Sequence, residues 1–210
     1  MIHKKFLPKI KKTSQTRSEN SLNDILESAD AIFDENDHTK LNARSLADKS
    51  GYSIGTLYYY LNKAEDAFIL MIFRRRERQF HHLANLISTF PEDKPLRELL
   101  EMMIDSGFKE FNRMNSKSFL VIFRMILRFS KNPFVFDDAL SYLVTPFIEA
   151  GKRNTTGTFR KLEADEYLLV LKAIFTLIRR PFFEQSPFAG TQKHRDLVVD
   201  SMERLLGTRL

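Results

Sequence analysis

The sequence predicts an all-α protein, and three observations carry that prediction. Glycine and proline number only seven each in 210 residues, too few breakers for a many-turned β fold. Apolar residues recur at helical spacing (i, i+3, i+4, i+7) along most of the chain. No segment of useful length alternates apolar and polar residues as a half-buried strand does, and no internal repeat is present. Hydrophobic residues make up 43% of the chain, enough for a packed core.

The elements follow in order. Ser21 is placed to N-cap a first helix, with Asp24 at the capping-box position. Ile25, Leu26, Ala29, Ile32 and Phe33 give that helix an apolar face, and Glu27, Asp30, Asp34 and Glu35 its outer face. It should stop near Asn36 and Asp37. A short second helix is capped by Asn42, turns Leu46 and Ala47 inward and ends at Gly51. Ser53 caps a third over 54–61. The break at Asn62, Lys63 and Ala64 leads into a long fourth helix, from 65 to about 89, closed by Pro91. Beyond Pro95, helices are expected at about 96–113, 117–130, 136–151, 162–180 and 192–206, making about nine in all. The expected organisation is a basic arm at 1–20, a helix-turn-helix domain at 21–64, and a larger helical domain at 65–210.

Charge and composition narrow the function. The formal net charge is +6, and the first 20 residues set Lys4, Lys5, Lys9, Lys11, Lys12 and Arg17 against Glu19 alone. Such an arm suits phosphates, with affinity falling as salt rises; a solubilising tail is the equal alternative on charge alone. The chain has no cysteine, which excludes disulfides, thiolate metal sites and a cysteine nucleophile. The longest mostly apolar stretch, 167–178, is interrupted by Lys172 and falls short of a membrane span. The basic start lacks the apolar run of a signal peptide. A cytoplasmic location without membrane contact is therefore expected.

Residues 42–61 carry the sharpest pattern. A helix-turn-helix needs two short helices joined by a tight turn with a left-handed position, which glycine suits because it has no Cβ. Gly51 supplies that position, and Ser53 caps the next helix after one intervening residue. Ile54, Leu57, Tyr58 and Leu61 have the spacing of a buried side, leaving Ser53, Gly55, Thr56 and Tyr59 on or near the exposed side.

Residues 25–68 resemble the TetR family of bacterial transcriptional regulators. That family pairs an alanine-rich first helix ending in Phe with a helix like T-x-x-x-I-A-x-x-A-G-V-S and then x-G-T-[LIF]-Y-x-Y-F. This chain supplies Ala29, Ala31 and Phe33, then Asn42, Leu46, Ala47, Ser50, Gly51, Tyr52 and Ser53, then Gly55, Thr56, Leu57, Tyr58, Tyr59, Tyr60 and Leu61. Asp37 stands where the family often has Gly, and Leu61 where it has Phe. Ala64 takes the place of the lysine that opens the fourth helix. In the family that lysine touches a phosphate, so either Lys63 substitutes or one backbone contact is missing.

The resemblance implies double-stranded DNA as partner and specific roles. Asn42 and Arg44 would contact phosphate and a base, and Thr56 and Tyr60 backbone phosphates. Ser53, Ile54, Gly55 and Tyr59 would face base edges, with Gly55 permitting close approach. Tyr58 reads as mainly core. The resemblance also implies a ligand-responsive repressor that binds a palindromic operator as a homodimer.

The remaining residues carry no sharp motif. The helix at 162–180 is apolar nearly all round and must be covered on several sides. With the last helix it would form a four-helix dimer interface, as in the family, through Leu168, Leu171, Phe175, Ile178, Val198, Met202 and Leu205. Phenylalanine is abundant (19 residues) and clusters between 108 and 147 with Met102, Met103, Met114 and Met125. Phe and Met line adaptable apolar pockets, although each alone packs a core as readily. The family keeps its ligand cavity in this domain, so Phe108, Phe111, Phe119, Phe123, Arg124 and Phe147 are candidates for holding a hydrophobic or aromatic effector. Arg124 and Arg128, one turn apart, would hold an anionic head group, snorkel to solvent or meet an acid. Tilting the fourth helix would then respace the two reading helices.

Other classes fit less well. The histidines form no ligand pattern (Glu77 and His81 lack a third partner), so no metal or cofactor is expected. No nucleophile elbow, P-loop or G-x-G-x-x-G occurs, so catalysis is not expected. A DNA-binding factor without a small-molecule ligand, nucleoid-associated or controlled by a protein partner, would use the same reading head. A helical adaptor for protein alone leaves the basic arm and the polar third helix unexplained.

Overall fold

The computed structural model describes residues 16–113, 116–129 and 137–208, and nine α-helices lie among these described residues. In order they are α1 (Thr16–Asp34), α2 (Ala43–Ser50), α3 (Ile54–Tyr60), α4 (Glu65–Ser88), α5 (Leu96–Arg113), α6 (Ser116–Phe129), α7 (Val144–Arg153), α8 (Ala164–Phe183) and α9 (Gln192–Leu206). Short 3-10 turns stand at His38–Lys40 and Asp137–Leu143. The described residues contain no strand beyond one antiparallel bridge pairing Phe159 with Gly207. The all-α expectation holds.

Three boundaries differ from expectation, each for a local reason. α1 begins at Thr16, so Ser21 is an interior residue and not the N-cap. Predicted helix 136–151 is a 3-10 segment followed by α7. Pro146 explains the break: it lacks an N–H and clashes with the carbonyl four residues back, so a helix accommodates it without cost only in the first turn, where α7 places it. α8 runs through Pro181 to Phe183, past the stop expected at 180.

The described residues form two compact units. One comprises the chain up to Glu77 together with α6; the other comprises residues 78–113 and the chain from Asp137 on. The division thus falls inside α4, whereas the sequence placed a boundary at 64/65. It also puts α6 with the reading head.

The first unit is built on Ile25, Ala29, Ile32 and Phe33 of α1, Leu46 of α2, Leu57 of α3 and an unbroken run from Ala67 to Phe73 in α4, all buried. A helical run buried on every side needs cover all round, and Ile126 of α6 closes part of it. Asn36, left-handed at φ 55°, turns the chain out of α1, a conformation asparagine tolerates well. Arg75 reaches back from α4 to Asp30 and, at 2.8 Å, to Asp34, with its guanidinium 5.2 Å from the Phe33 ring centroid.

In the second unit α9 packs on α5 and α8, and α7 on α8. Leu99, Leu100, Phe147, Leu171, Ile174, Val198, Val199 and Met202 are buried there. Arg179 pairs with the buried Asp137 at 2.9 Å and lies over the Phe175 ring. None of the described helices is long and apolar enough to cross a membrane.

Candidate nucleic-acid interface

The candidate interface starts from two caps and a turn. Asn42 Oδ1 accepts the Ser45 N–H at 3.0 Å, while its Nδ2 donates to the Thr39 carbonyl at 2.7 Å. Satisfying a free N–H of the first turn fixes where α2 begins. Gly51 ends α2 at φ 73°, donating its N–H to Ala47 O at 3.0 Å. Ser53 then caps α3: its Oγ accepts the Thr56 N–H at 3.1 Å and lies 2.9 Å from Thr56 Oγ1. The left-handed glycine and the serine cap set the angle between the two helices.

A further bond pins the turn. Tyr52 packs against the core, and its hydroxyl donates to Asp24 Oδ2 of α1 at 2.9 Å. Glu35, at the end of α1, holds Lys40 at 2.8 Å and Lys49 of α2 at 2.9 Å. The hydrogen bonds from Lys40 and then Lys49 keep its carboxyl below the usual glutamate range.

The face α3 presents differs from its predicted one. Leu57 and Leu61 are buried, as expected, but Ile54 is 45% and Tyr58 50% exposed. Tyr60 is the third inward residue, half-buried against the core and edge-on to Tyr59 at 5.1 Å. The inward row is therefore 57, 60 and 61, and Tyr58 is not core. Ser53, Ile54, Gly55, Tyr58 and Tyr59 (53% exposed) lie open, with Thr56 half-buried beside them.

Gly55 is informative because the fold does not demand it. A Cβ there would meet nothing nearer than Ser53 Oγ at 3.7 Å, an ordinary contact. Glycine costs a helix interior roughly 1 kcal/mol relative to alanine, so its presence serves close approach from outside better than it serves α3.

Arg44 is exposed on α2. Lys63 is exposed in the α3–α4 connection, where its backbone N–H donates to Asp66 Oδ2 at 3.0 Å. Burial pushes the Asp66 carboxyl up, against the lowering effect of the Lys63 and Asn62 backbone N–H groups. The basic arm, through residue 15, lies outside the described residues.

The other candidate residues are dispersed. Phe108 and Phe111 lie in the second unit against Phe182, and Phe147 stacks on Tyr167 at 5.9 Å. Phe123 and Arg124 belong to α6 in the first unit, and the side chain of Phe119 lies outside the described residues. An apolar cavity beside Phe80, Met103, Phe111 and Phe175 in the second unit measures about 50 Å³. Of the candidate dimer residues, Leu171, Phe175, Ile178, Val198 and Met202 are covered by this same chain, Leu168 is half-buried and Leu205 exposed. The other large apolar side chains left open on α8 and α9 are Leu169, Leu177 and Leu197. The described residues contain no cluster of His, Cys, Asp or Glu suited to a metal ion.

An all-helical protein whose first unit carries a capped helix-turn-helix is the class these features define. Among solved structures its fold is that of TetR-family transcriptional regulators. A transcriptional regulator from Rhodococcus sp. RHA1, described as TetR, aligns over 92% of this chain and 97% of its own at TM-score 0.60 and 13% identity. SmeT, the repressor of the multidrug efflux pump SmeDEF in Stenotrophomonas maltophilia, aligns over 91% and 92% at TM-score 0.57 and 16% identity. A Saccharomonospora viridis protein assigned as a transcriptional regulator and solved with choline aligns over 91% and 100% at TM-score 0.64 and 17% identity. No protein-family model and no curated protein sequence matches the chain.

Proposed function

We propose that the chain is a ligand-responsive, DNA-binding transcriptional regulator of the TetR type, acting as a dimer on a palindromic operator. The observation that carries this proposal is the exposed face of α3, where Ser53, Ile54, Gly55, Tyr58 and Tyr59 stand open around a glycine the fold does not need. A helix offering small and polar groups beside two tyrosines suits the major groove, which admits one α-helix and displays distinct edges for each base pair. Asn42, Arg44, Thr56, Tyr60 and Lys63 would position the head on the phosphates. Leu169, Leu177, Leu197 and Leu205 are the apolar side chains available for a partner subunit. Repression is the mode proposed, in the cytoplasm, with α4 contributing to both units and so able to couple them.

Selection of bound fragments from random duplex DNA tests the proposal. A palindromic consensus with half-sites one helical turn apart is expected. Recovery of no enriched sequence would refute it.

A second reading, a DNA-binding factor without a small-molecule effector, is favoured by the size of the apolar cavity beside Phe111 and Phe175 in the second unit. About 50 Å³ is far below the roughly 300–1,000 Å³ typical of ligand pockets. An effector held there requires the helices around Phe111 and Phe175 to part. A screen of hydrophobic and aromatic compounds by thermal shift separates the two readings, since only the first expects a stabilising hit.

A further inference from the structure

A cavity about ten times the volume of the one beside Phe111 and Phe175 lies in the first unit. It measures about 520 Å³ and opens between the α3–α4 connection, the start of α4 and α6. Ile69, Val121 and Met125 give it an apolar wall, and Lys63, Arg124 and Arg128 stand at its polar side. Its volume falls within the range of small-molecule pockets.

The charges are what give it chemistry. Arg124 and Arg128 lie one helical turn apart on α6, so both guanidinium groups can reach one site. Both are exposed, and neither meets an acid among the described residues. Two acids share the cavity. Asp66 is occupied by the Lys63 backbone N–H, and Glu65 is exposed at the surface. Three cations therefore face one solvent-exposed carboxylate and one that already serves the backbone.

We infer that this cavity is a binding site for a small amphipathic anion, its carboxylate held by Arg124 and Arg128 and its apolar body against Ile69, Val121 and Met125. A guanidinium matches a carboxylate with two parallel N–H···O bonds, which a lysine cannot do. The apolar wall selects against bare inorganic anions, and against a DNA backbone, which would leave that wall unused. Binding here stands apart from DNA recognition. One consequence does rest on it: Lys63 also lies where a DNA phosphate is proposed, so a bound anion would compete for that side chain.

Calorimetry on the full chain with sodium decanoate, with decanol and acetate as controls, tests the site. Decanoate should bind saturably and at least about tenfold more tightly than either control. The Arg124→Gln/Arg128→Gln variant should lose at least about tenfold in decanoate affinity. Hydrogen exchange on the unaltered chain supplies a reading independent of any variant, with decanoate expected to protect 62–69 and 121–128. Absence of saturable binding, equal binding by the double variant, or protection confined to the second unit would overturn the site. So would a double variant that binds decanoate unchanged but loses DNA affinity, since the arginines would then belong to the duplex. A chain that bound decanoate yet selected no DNA would leave the site standing and remove the regulator proposal alone.

Discussion

The His194 ring nitrogen Nε2 lies 3.0 Å from the carbonyl oxygen of Leu177, the carbonyl that Pro181 leaves without its helical donor. An α-helix pairs each carbonyl with the N–H four residues on, and proline has none. His194 is buried, and its Nδ1 accepts the Gly190 N–H at 3.2 Å, so the proton sits on Nε2 and is donated to Leu177. One neutral imidazole thus repairs α8 from α9, inside a ring of Phe108, Phe182 and Phe188.

His194→Phe keeps the ring's shape and orphans two backbone groups. It should cost about 2–3 kcal/mol in urea unfolding. Pro181→Ala restores the missing N–H, so His194→Phe should cost roughly 1 kcal/mol less in that background. Equal costs in both backgrounds would show that the proline and the histidine are not coupled.

Gly55→Ala should leave the fold intact and raise stability by about 0.5–1 kcal/mol, because a Cβ meets only an ordinary contact there. Operator affinity should fall in the same variant. Leu57→Ala, by contrast, should lose about 2–5 kcal/mol as a core truncation and lose binding only through unfolding. Thermal melts beside mobility-shift titrations distinguish the two.

Glu35→Gln tests the link between α1 and α2 through pH. Because Lys40 and Lys49 hold the folded-state carboxyl below its ordinary value, its contribution is present above the unfolded pKa of about 4.3 and lost as pH falls through the folded value. The parent should be the more stable near neutrality, and the difference should close on acidification. Salt should narrow it too, since the group is at the surface.

Leu197→Glu places a charge on the apolar side of α9 left open in the single chain. Light scattering should report a monomer with an unchanged helical spectrum. Persistence of a dimer would move the partner surface elsewhere.

Deleting residues 2–12 removes Lys4, Lys5, Lys9, Lys11 and Lys12. Affinity should fall for all sequences alike, and the dependence on salt should flatten, as expected for lost phosphate contacts. A changed sequence preference would instead mean that the arm reads a groove.

The helices and the turn were legible because single residues decide them: Asn42, Gly51 and Ser53 each act within four residues of where they stand. Sequence spacing was weaker on α3. Seven residues make two turns, and Leu57 and Leu61 fit a row through 54 and 58 as well as one through 60, so periodicity alone could not seat Tyr58 outside and Tyr60 inside. α8 posed the opposite difficulty. Where nearly every residue is apolar, no pattern separates Leu171, covered by its own chain, from Leu169, which is not. The grouping of α6 with the reading head depends on contacts such as that of Ile126 with the α4 core, between residues far apart in sequence.

That grouping has a consequence for anyone recombining this chain. The first unit uses two separate stretches, one up to Glu77 and one carrying α6. A reading head cut out after α4, or grafted onto another sensor by a single splice, would leave behind the segment that shields the Ala67–Phe73 run. Chimeras of this protein therefore need two crossovers, and one-junction hybrids should aggregate where two-junction hybrids stay in solution.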